Sequence, residues 1–332
     1  MSLAGMMAQL GLQVLPGGGF QVDGPLIAGG GIDGPIGQGD VYYLDPANGA
    51  DTYRGKTPGT AFKTLAAAED KLTANQNDVL KILADASSLS LSSLLTWDKS
   101  YTHMVGVCAP VRVAKRARIF NSGDLAKMMV ISASGCIFAN FYIFQGGSDG
   151  ADLGCVDVTG GRNFFWNVHF AGIGHATPGA QAGAYSLYLN GAEENEFVRC
   201  TLGLDTIARG AANQQLLIDG TAPRNSFEDC LFLSAGAALT TPLMVKFVDS
   251  TAAQCFTRFK DCCFYHFSPN HAAKLAQCFS LPATNSTFDV LLSGKNELFG
   301  ITEWEASDRG NIWITDAAPS AATSGIAIEP QT

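Results

Sequence analysis

NEFVRCTL, residues 195–202, recurs with small changes as NSFEDCLF at 225–232 and as TRFKDCCF at 257–264. Looser copies flank these three: CIFANFYI from Cys136, NFFWNVHF from Asn163 and STFDVLLS from Ser286. Each reads small or polar, any, Phe, any, any, apolar, any, and usually apolar. The shared phenylalanines are Phe138, Phe165, Phe197, Phe227, Phe259 and Phe288, separated by 27, 32, 30, 32 and 29 residues. Self-similarity at such a period marks a repeat architecture in which each unit buries its apolar face on the next.

A second short strand precedes each phenylalanine and ends in a small or polar turn: MVISA from Met129, VDVTG from Val156, LYLNG from Leu187, LLIDG from Leu216 and KFVDS from Lys246. Two or three strands per repeat, with no helix between them, exclude leucine-rich and helical solenoids. They fit a single-stranded parallel β-helix, an all-β solenoid whose turns stack about 4.8 Å apart so that equivalent residues form ladders. Three residues after the shared Phe come Phe141, Val168, Cys200, Cys230, Cys262 and Leu291. Strict alternation would put this column and the phenylalanines on opposite faces, so a corner or bulge is expected between them. Cys200, Cys230 and Cys262 exchange with apolar residues there and read as core, not as metal or redox groups. Two residues before the Phe stand Asn163, Asn195, Asn225, Thr257 and Ser286, which suit tight bends and hydrogen bonding along the axis. An Asn-lined binding strip is the weaker alternative.

Composition narrows the function classes. The chain has 332 residues, 47% hydrophobic and only 15% charged, with 37 glycines and a net charge of −9. That balance argues against nucleic acid or an acidic membrane surface as partner, and no run reaches the length of a membrane span. MSLAGMMAQLGLQVL lacks the positively charged start of a secretory signal, so export by that route is not expected. Nine cysteines without CxxC pairing read as reduced thiols of a protein that folds in a cytosol.

The segment from Tyr43 carries Asp45, Pro46, Asn48, Gly49 and Asp51, then Gly55, Thr57, Phe62, Thr64 and Ala68. In this it resembles the lead-in of the pectate-lyase-like superfamily of right-handed parallel β-helices, with Ala61 where that family usually has Pro. The resemblance covers about residues 41 to 318. It implies a right-handed coil and a short helix, Leu65 to Leu72, over its N-terminal end. For activity it implies little, since the family spans lyases, hydrolases, esterases and viral spike and capsid-surface proteins. Asp45, Asn48 and Asp51 are spaced as calcium ligands can be, but Asx-type turns explain the same residues, and no metal or cofactor is expected.

No catalytic constellation emerges. The outward ladder of the upstream strands reads Val130, Asp157, Tyr188, Leu217, Phe247, Ser280 and Trp313, with one carboxylate among largely apolar neighbours. Asp219 and Asp249 fall at turns, and Lys246 reads as inward, which predicts a register slip. Arg199 and Arg258 lie on other columns than the acids, and His169, His175, His266 and His271 show no ligand spacing. Glu193-Glu194 and Glu303-Trp304-Glu305 are candidates for a sugar cleft, more simply read as solvated loops. The apolar ladder marks an interaction surface, unless the loop AGIGHATPGAQAGAY after Phe170 folds back over it.

Four regions follow: a Gly-rich arm (1–40), a lead-in strand, loop and capping helix (41–80), the β-helix (81–318) and a C-terminal tail (319–332). The arm pairs dense glycine with Met6, Met7, Leu10 and Leu12 and is expected to order on a partner. Together with Tyr188, Leu217, Phe247 and Trp313 these form the expected interface. Three functions are weighed. The first is a non-enzymatic bacteriophage structural protein, a capsid decoration protein on the virion surface. It would be assembled in the host cytoplasm and contact the major capsid protein or other virion subunits, as a homo-oligomer such as a trimer. The second is a phage polysaccharide depolymerase or lyase. The third is a non-catalytic carbohydrate-binding β-helix for a host surface glycan, stacking sugars on Trp304, Trp313 and Tyr188.

Overall fold

A computed structural model of the chain describes residues 39–85, 87–121, 123–210, 212–236, 242–282, 287–305 and 311–315. It also gives the backbone of the short strands Leu12–Val14, Phe20–Val22, Leu26–Ala28, Gly31–Asp33 and Ile326–Ala327. Met6, Met7 and Leu10, and the side chain of Leu12, lie outside the described residues.

The strands wind into a right-handed parallel β-helix of about seven turns with three sheets. Sheet A carries the phenylalanine strands, among them Ile137–Ala139, Phe164–Trp166, Glu196–Val198, Asn225–Glu228 and Cys255–Lys260. Sheet B follows each of these with Tyr142–Gln145, His169–Ile173, Thr201–Ala208, Leu231–Ala235 and Cys263–Phe267. Sheet C closes the turn with Gly154–Val158, Tyr185–Asn190, Gln214–Asp219, Leu243–Phe247 and Phe279–Ser280. The capping helix, Leu65–Lys71, buries Leu65 and Ala68 in the main core and lies beside the first sheet A strand, Val41–Leu44.

The expected corner lies between sheets A and B. Two residues separate the strands in every one of these turns. The first, Asn140, Asn167, Arg199, Asp229 or Asp261, has positive φ between 48° and 57°. The left-handed residue reverses the alternation, so Phe141, Val168, Cys200, Cys230 and Cys262 turn back inward and are fully buried or nearly so. All three cysteines are free thiols. Each Sγ donates to the carbonyl of a column phenylalanine: Cys200 to Phe165, Cys230 to Phe197 and Cys262 to Phe227, at 3.3–3.4 Å. Burial pushes the Cys230 thiol well above its ordinary pKa, so the column is packing and not a reactive site.

Phe138, Phe165, Phe197, Phe227 and Phe259 stack with centroids 4.5–5.2 Å apart and planes within 13° of parallel. The sixth member corrects the expectation. Phe259 pairs with Leu292, whereas Phe288 pairs with Cys255 and stacks on Phe247 at 4.7 Å. Leu291 accordingly leaves the cysteine column and pairs with Arg258.

The asparagines form an axial ladder. Asn163 Oδ1 accepts from Cys136 N at 2.8 Å, Asn195 Oδ1 from Asn163 N at 2.9 Å and Asn225 Oδ1 from Asn195 N at 3.0 Å. Their Nδ2 groups donate to Ala133, Gly160 and Ala192 carbonyls in the preceding bends. Thr257 continues the column opposite Asn225, while Ser286 lies outside the described residues. Buried and bonded on both sides, the three asparagines hold the coil together, which leaves no Asn-lined binding strip.

Candidate functional site

The outward ladder of sheet C differs from the expectation at two places. Register places Val130, Asp157, Tyr188, Leu217, Lys246 and Ser280 side by side. Phe247 pairs with Ile218 one residue further on, points inward and is 1% exposed. Lys246 therefore takes the outward position in register, with no slip. Trp313 belongs to sheet A, pairing with Leu291 and donating from Nε1 to Asp289 Oδ1 at 2.8 Å. The ladder is consequently a mixed polar and aromatic face instead of an apolar strip. The loop after Phe170 does not cover it. That loop forms the short helix Ala176–Gly179 and is tied to the corner between sheets B and C by Gly210 N and Asn213 Nδ2, which both donate to Gly179 O.

Side chains on this face are fixed by one another. Asp157 is 4% exposed. Its Oδ1 accepts from Tyr185 Oη at 2.5 Å, and its Oδ2 is held by Lys127 Nζ. Burial, then the Asp157 charge and hydrogen bond, hold the Tyr185 phenol protonated far above its ordinary range. Tyr185 meets Tyr188 edge to face at 5.4 Å. Tyr188 donates to Asp219 Oδ2 at 3.2 Å, and burial with that carboxylate pushes its pKa up to about 12. Both tyrosines are therefore hydrogen-bond donors at neutral pH. Beyond Leu217 lies a pocket of about 370 Å³, lined by Gln214, Leu243, Lys246, Gln277 and Ser280 among others, at the small end of ligand sites.

The two carboxylates of the face are held by separate partners. Asp157 precedes the Leu217 position by two rungs, and Asp219 lies two residues beyond Leu217. At ~4.8 Å per rung and ~3.3 Å per residue their backbone positions lie about 11–12 Å apart, and Tyr188 on the intervening rung binds Asp219. Asp157 also has both oxygens occupied, so it is poorly placed to exchange a proton with a ligand.

The other candidates are accounted for locally. Asp45 accepts from Ala47 N and Asn48 N, an Asx turn. Asp51 accepts from Lys63 N, Thr64 N and Thr64 Oγ1, fixing the start of the capping helix. Burial opposes its charge, but these hydrogen bonds outweigh it and leave the carboxyl below its ordinary pKa. Among the described residues no group of three His, Cys, Asp or Glu side chains is arranged to hold a metal. Glu193 and Glu194 are bound in a surface network with Arg162 and Arg224. Trp304 stacks on Phe279 at 5.5 Å and packs half-buried against the core. Arg258 Nε donates to Ser293 Oγ on sheet A, and Arg199 is one of the left-handed corner residues.

His169 accepts from Ala114 N at Nδ1 and reaches Gly203 O at 2.9 Å through Nε2; burial lowers its pKa to about 3. It is a neutral structural imidazole. His175 caps the short helix through Thr177 N. The side chain of His271 lies outside what is described. His266 is buried with neither ring nitrogen partnered, and it belongs to a polar seam that the sequence did not reveal.

No protein-family model and no curated protein sequence matches the chain. Solved structures do. Pectate lyase Pel9A is 12% identical, with 87% of this chain and 83% of that chain covered at a TM-score of 0.49. Pectin methylesterase PemA from Erwinia chrysanthemi is 15% identical, with coverages of 79% and 80% and a TM-score of 0.49. The pectin methylesterase from Aspergillus niger is 12% identical, with coverages of 86% and 93% and a TM-score of 0.48. At these identities the likeness is one of fold.

Proposed function

We propose that the protein is a non-enzymatic β-helix that binds a glycan along the outward face of sheet C. The observation that carries this reading is the make-up of the face itself. Tyr188 and Leu217 offer apolar surface for a sugar ring, and Asp219, Gln214, Lys246 and Ser280 supply donors and acceptors for its hydroxyls. Binding without cleavage is supported by Asp157, both of whose oxygens are held by protein groups. Titration with neutral and uronate-bearing oligosaccharides should give saturable binding and no shortened products. Tyr188→Ala and Lys246→Ala should each weaken it about three- to tenfold, the size of one hydrogen bond or contact. Shortened products whose release stops in Asp157→Asn or Asp219→Asn would establish the depolymerase reading instead.

A second reading, a structural role on a virion surface, is favoured by a separate feature. The end of the sheet A strand His103–Val107 and the segment after it expose Val107, Val111 and Val113 at 45, 51 and 40%. Exposed apolar side chains of this kind suit docking on a capsid subunit or a second copy of the chain. If it docks there, Val111→Lys with Val113→Lys should abolish co-purification with particles while leaving the melting temperature within about 2 °C, as expected for surface changes. Unchanged co-purification would remove this reading.

A further inference from the structure

A line of polar side chains runs through the interior where sheets B and C meet: Gln145, Ser186, Arg209, Gln215, Ser234 and His266, each 3% exposed or less. Its first member is satisfied by backbone. Gln145 Nε2 donates to Leu125 O and Gly154 O, and its Oε1 accepts from Gly147 N. The middle is built around a guanidinium. Arg209 Nη2 donates to Ser186 Oγ and Gln215 Oε1, both at 3.2 Å, and Ser186 Oγ donates to Gln215 Oε1 at 2.7 Å. Glycine makes room for this arrangement. A Cβ on Gly172 would stand 1.9 Å from Ser186 Oγ, and one on Gly203 would stand 2.3 Å from Gln215 Oε1.

From there on polar atoms, most of them donors, go unmet. Arg209 Nε and Nη1, Gln215 Nε2, Ser234 Oγ and both nitrogens of His266 are buried without a protein partner. No described carboxylate forms an ion pair with Arg209. Burial lowers even its own pKa, to about 10, with only the Cys155 thiol opposing. Ser234 and His266 lie opposite each other on adjacent rungs. A Cβ on Gly236 would be 3.4 Å from both Arg209 O and the His266 ring, which places the imidazole close to the Arg209 backbone. A buried cation without a counter-charge is among the costliest arrangements a fold can hold, and unmet donors add to that cost.

We infer that this seam holds one small monovalent anion of the chloride class, bound by Arg209 Nε and Nη1 and Gln215 Nε2, with Ser234 and neutral His266 as further donors. One positive charge set among neutral donors matches one negative charge. A divalent anion would leave excess charge in the core, and a metal cation would face the guanidinium directly. The site lies inside the coil and is independent of the glycan face.

The full-length protein should be melted in sodium gluconate, with chloride, bromide or nitrate substituted at constant ionic strength. The melting temperature should rise saturably with the small anions, by about 5 °C or more at a hundredfold excess over Kd. Crystals soaked in bromide should show an anomalous peak beside Arg209. Arg209→Gln should abolish the anion-dependent shift. Should that variant fail to fold, the bromide position in the unaltered protein decides the question. Melting that is indifferent to the anion, or no bromide beside Arg209, would overturn the assignment and leave the seam to water.

Discussion

Asn225→Ala should lower the stability of the coil by about 3–5 kcal/mol, read from the shift in the urea midpoint. One side chain makes four contacts. Its Oδ1 accepts from the backbone N of Asn195 at 3.0 Å and from Asn195 Nδ2 at 3.2 Å. Its Nδ2 donates to Ala192 O at 2.8 Å and Ala222 O at 3.0 Å. The residue has no solvent exposure, so truncation leaves a backbone N–H and two carbonyls buried and unmet, each worth roughly 1–3 kcal/mol. Asn225→Asp is a sharper probe, because it keeps the shape and the acceptor but removes the donors and adds a buried charge. It should be at least as damaging at neutral pH and recover partly in acid, where the carboxyl is protonated. A loss under about 1 kcal/mol in Asn225→Ala would mean that neighbouring groups or water replace the ladder.

Phe197→Ala should cost about 3–5 kcal/mol, the usual range for emptying a buried phenylalanine site. Phe197 is stacked on both sides, on Phe165 at 4.5 Å and on Phe227 at 4.6 Å, and Phe170 meets its edge at 6.1 Å. The stack spans successive rungs, so backbone hydrogen bonds resist collapse of the cavity. Phe197→Leu, which keeps most of the volume but loses two ring contacts, should cost about 1–2 kcal/mol. Leucine occupies the same column at 292, opposite Phe259, which shows that the position tolerates it. Equal losses for Ala and Leu would point to the aromatic stacking itself as the larger contribution.

Much of the coil could be read in advance because its information is repeated. Five of the six phenylalanines, the cysteine column and the asparagine ladder recur at one period, and each is required by the same inward geometry in every turn. Reading failed where the period is locally broken. In sheet C, counting back from the turn aligned Lys246 with Leu216, whereas Val245 pairs with Leu216. Counted from the paired Leu217 and Lys246, Asp249 comes one residue later than Asp219, and a one-residue slip exchanges inside for outside. That slip alone put Phe247 on the surface and Lys246 in the core. In the last copy, STFDVLLS, Leu292 fills the aromatic column four residues after Phe288, since core volume and not aromaticity is what the site selects. The candidate face was half legible: Asp157, Tyr188 and Leu217 lie where the sequence placed them, but Lys127 and Tyr185, which lock Asp157, come from other positions of the repeat. The buried seam had no signature at all, because its polar residue types change from one rung to the next and its members fall at different positions of the repeat.

The spacing of the connections has a consequence for how such a chain can be altered over time. Between sheets A and B the gap is always two residues across the five turns from Ile137 to Phe267, and from sheet C back to sheet A it is five in three turns and seven in the fourth. Between sheets B and C it ranges from five to eleven. The A–B corner is pinned by a left-handed residue in each of these turns. The C–A corner, held by the asparagine ladder in three turns, takes two further residues in the fourth with Asn225 and Thr257 still paired. The third corner has no such pin and borders the sheet C face. Insertions accumulating there would remodel the rim of that face while leaving the pitch of the coil untouched, making it the natural place to graft foreign loops.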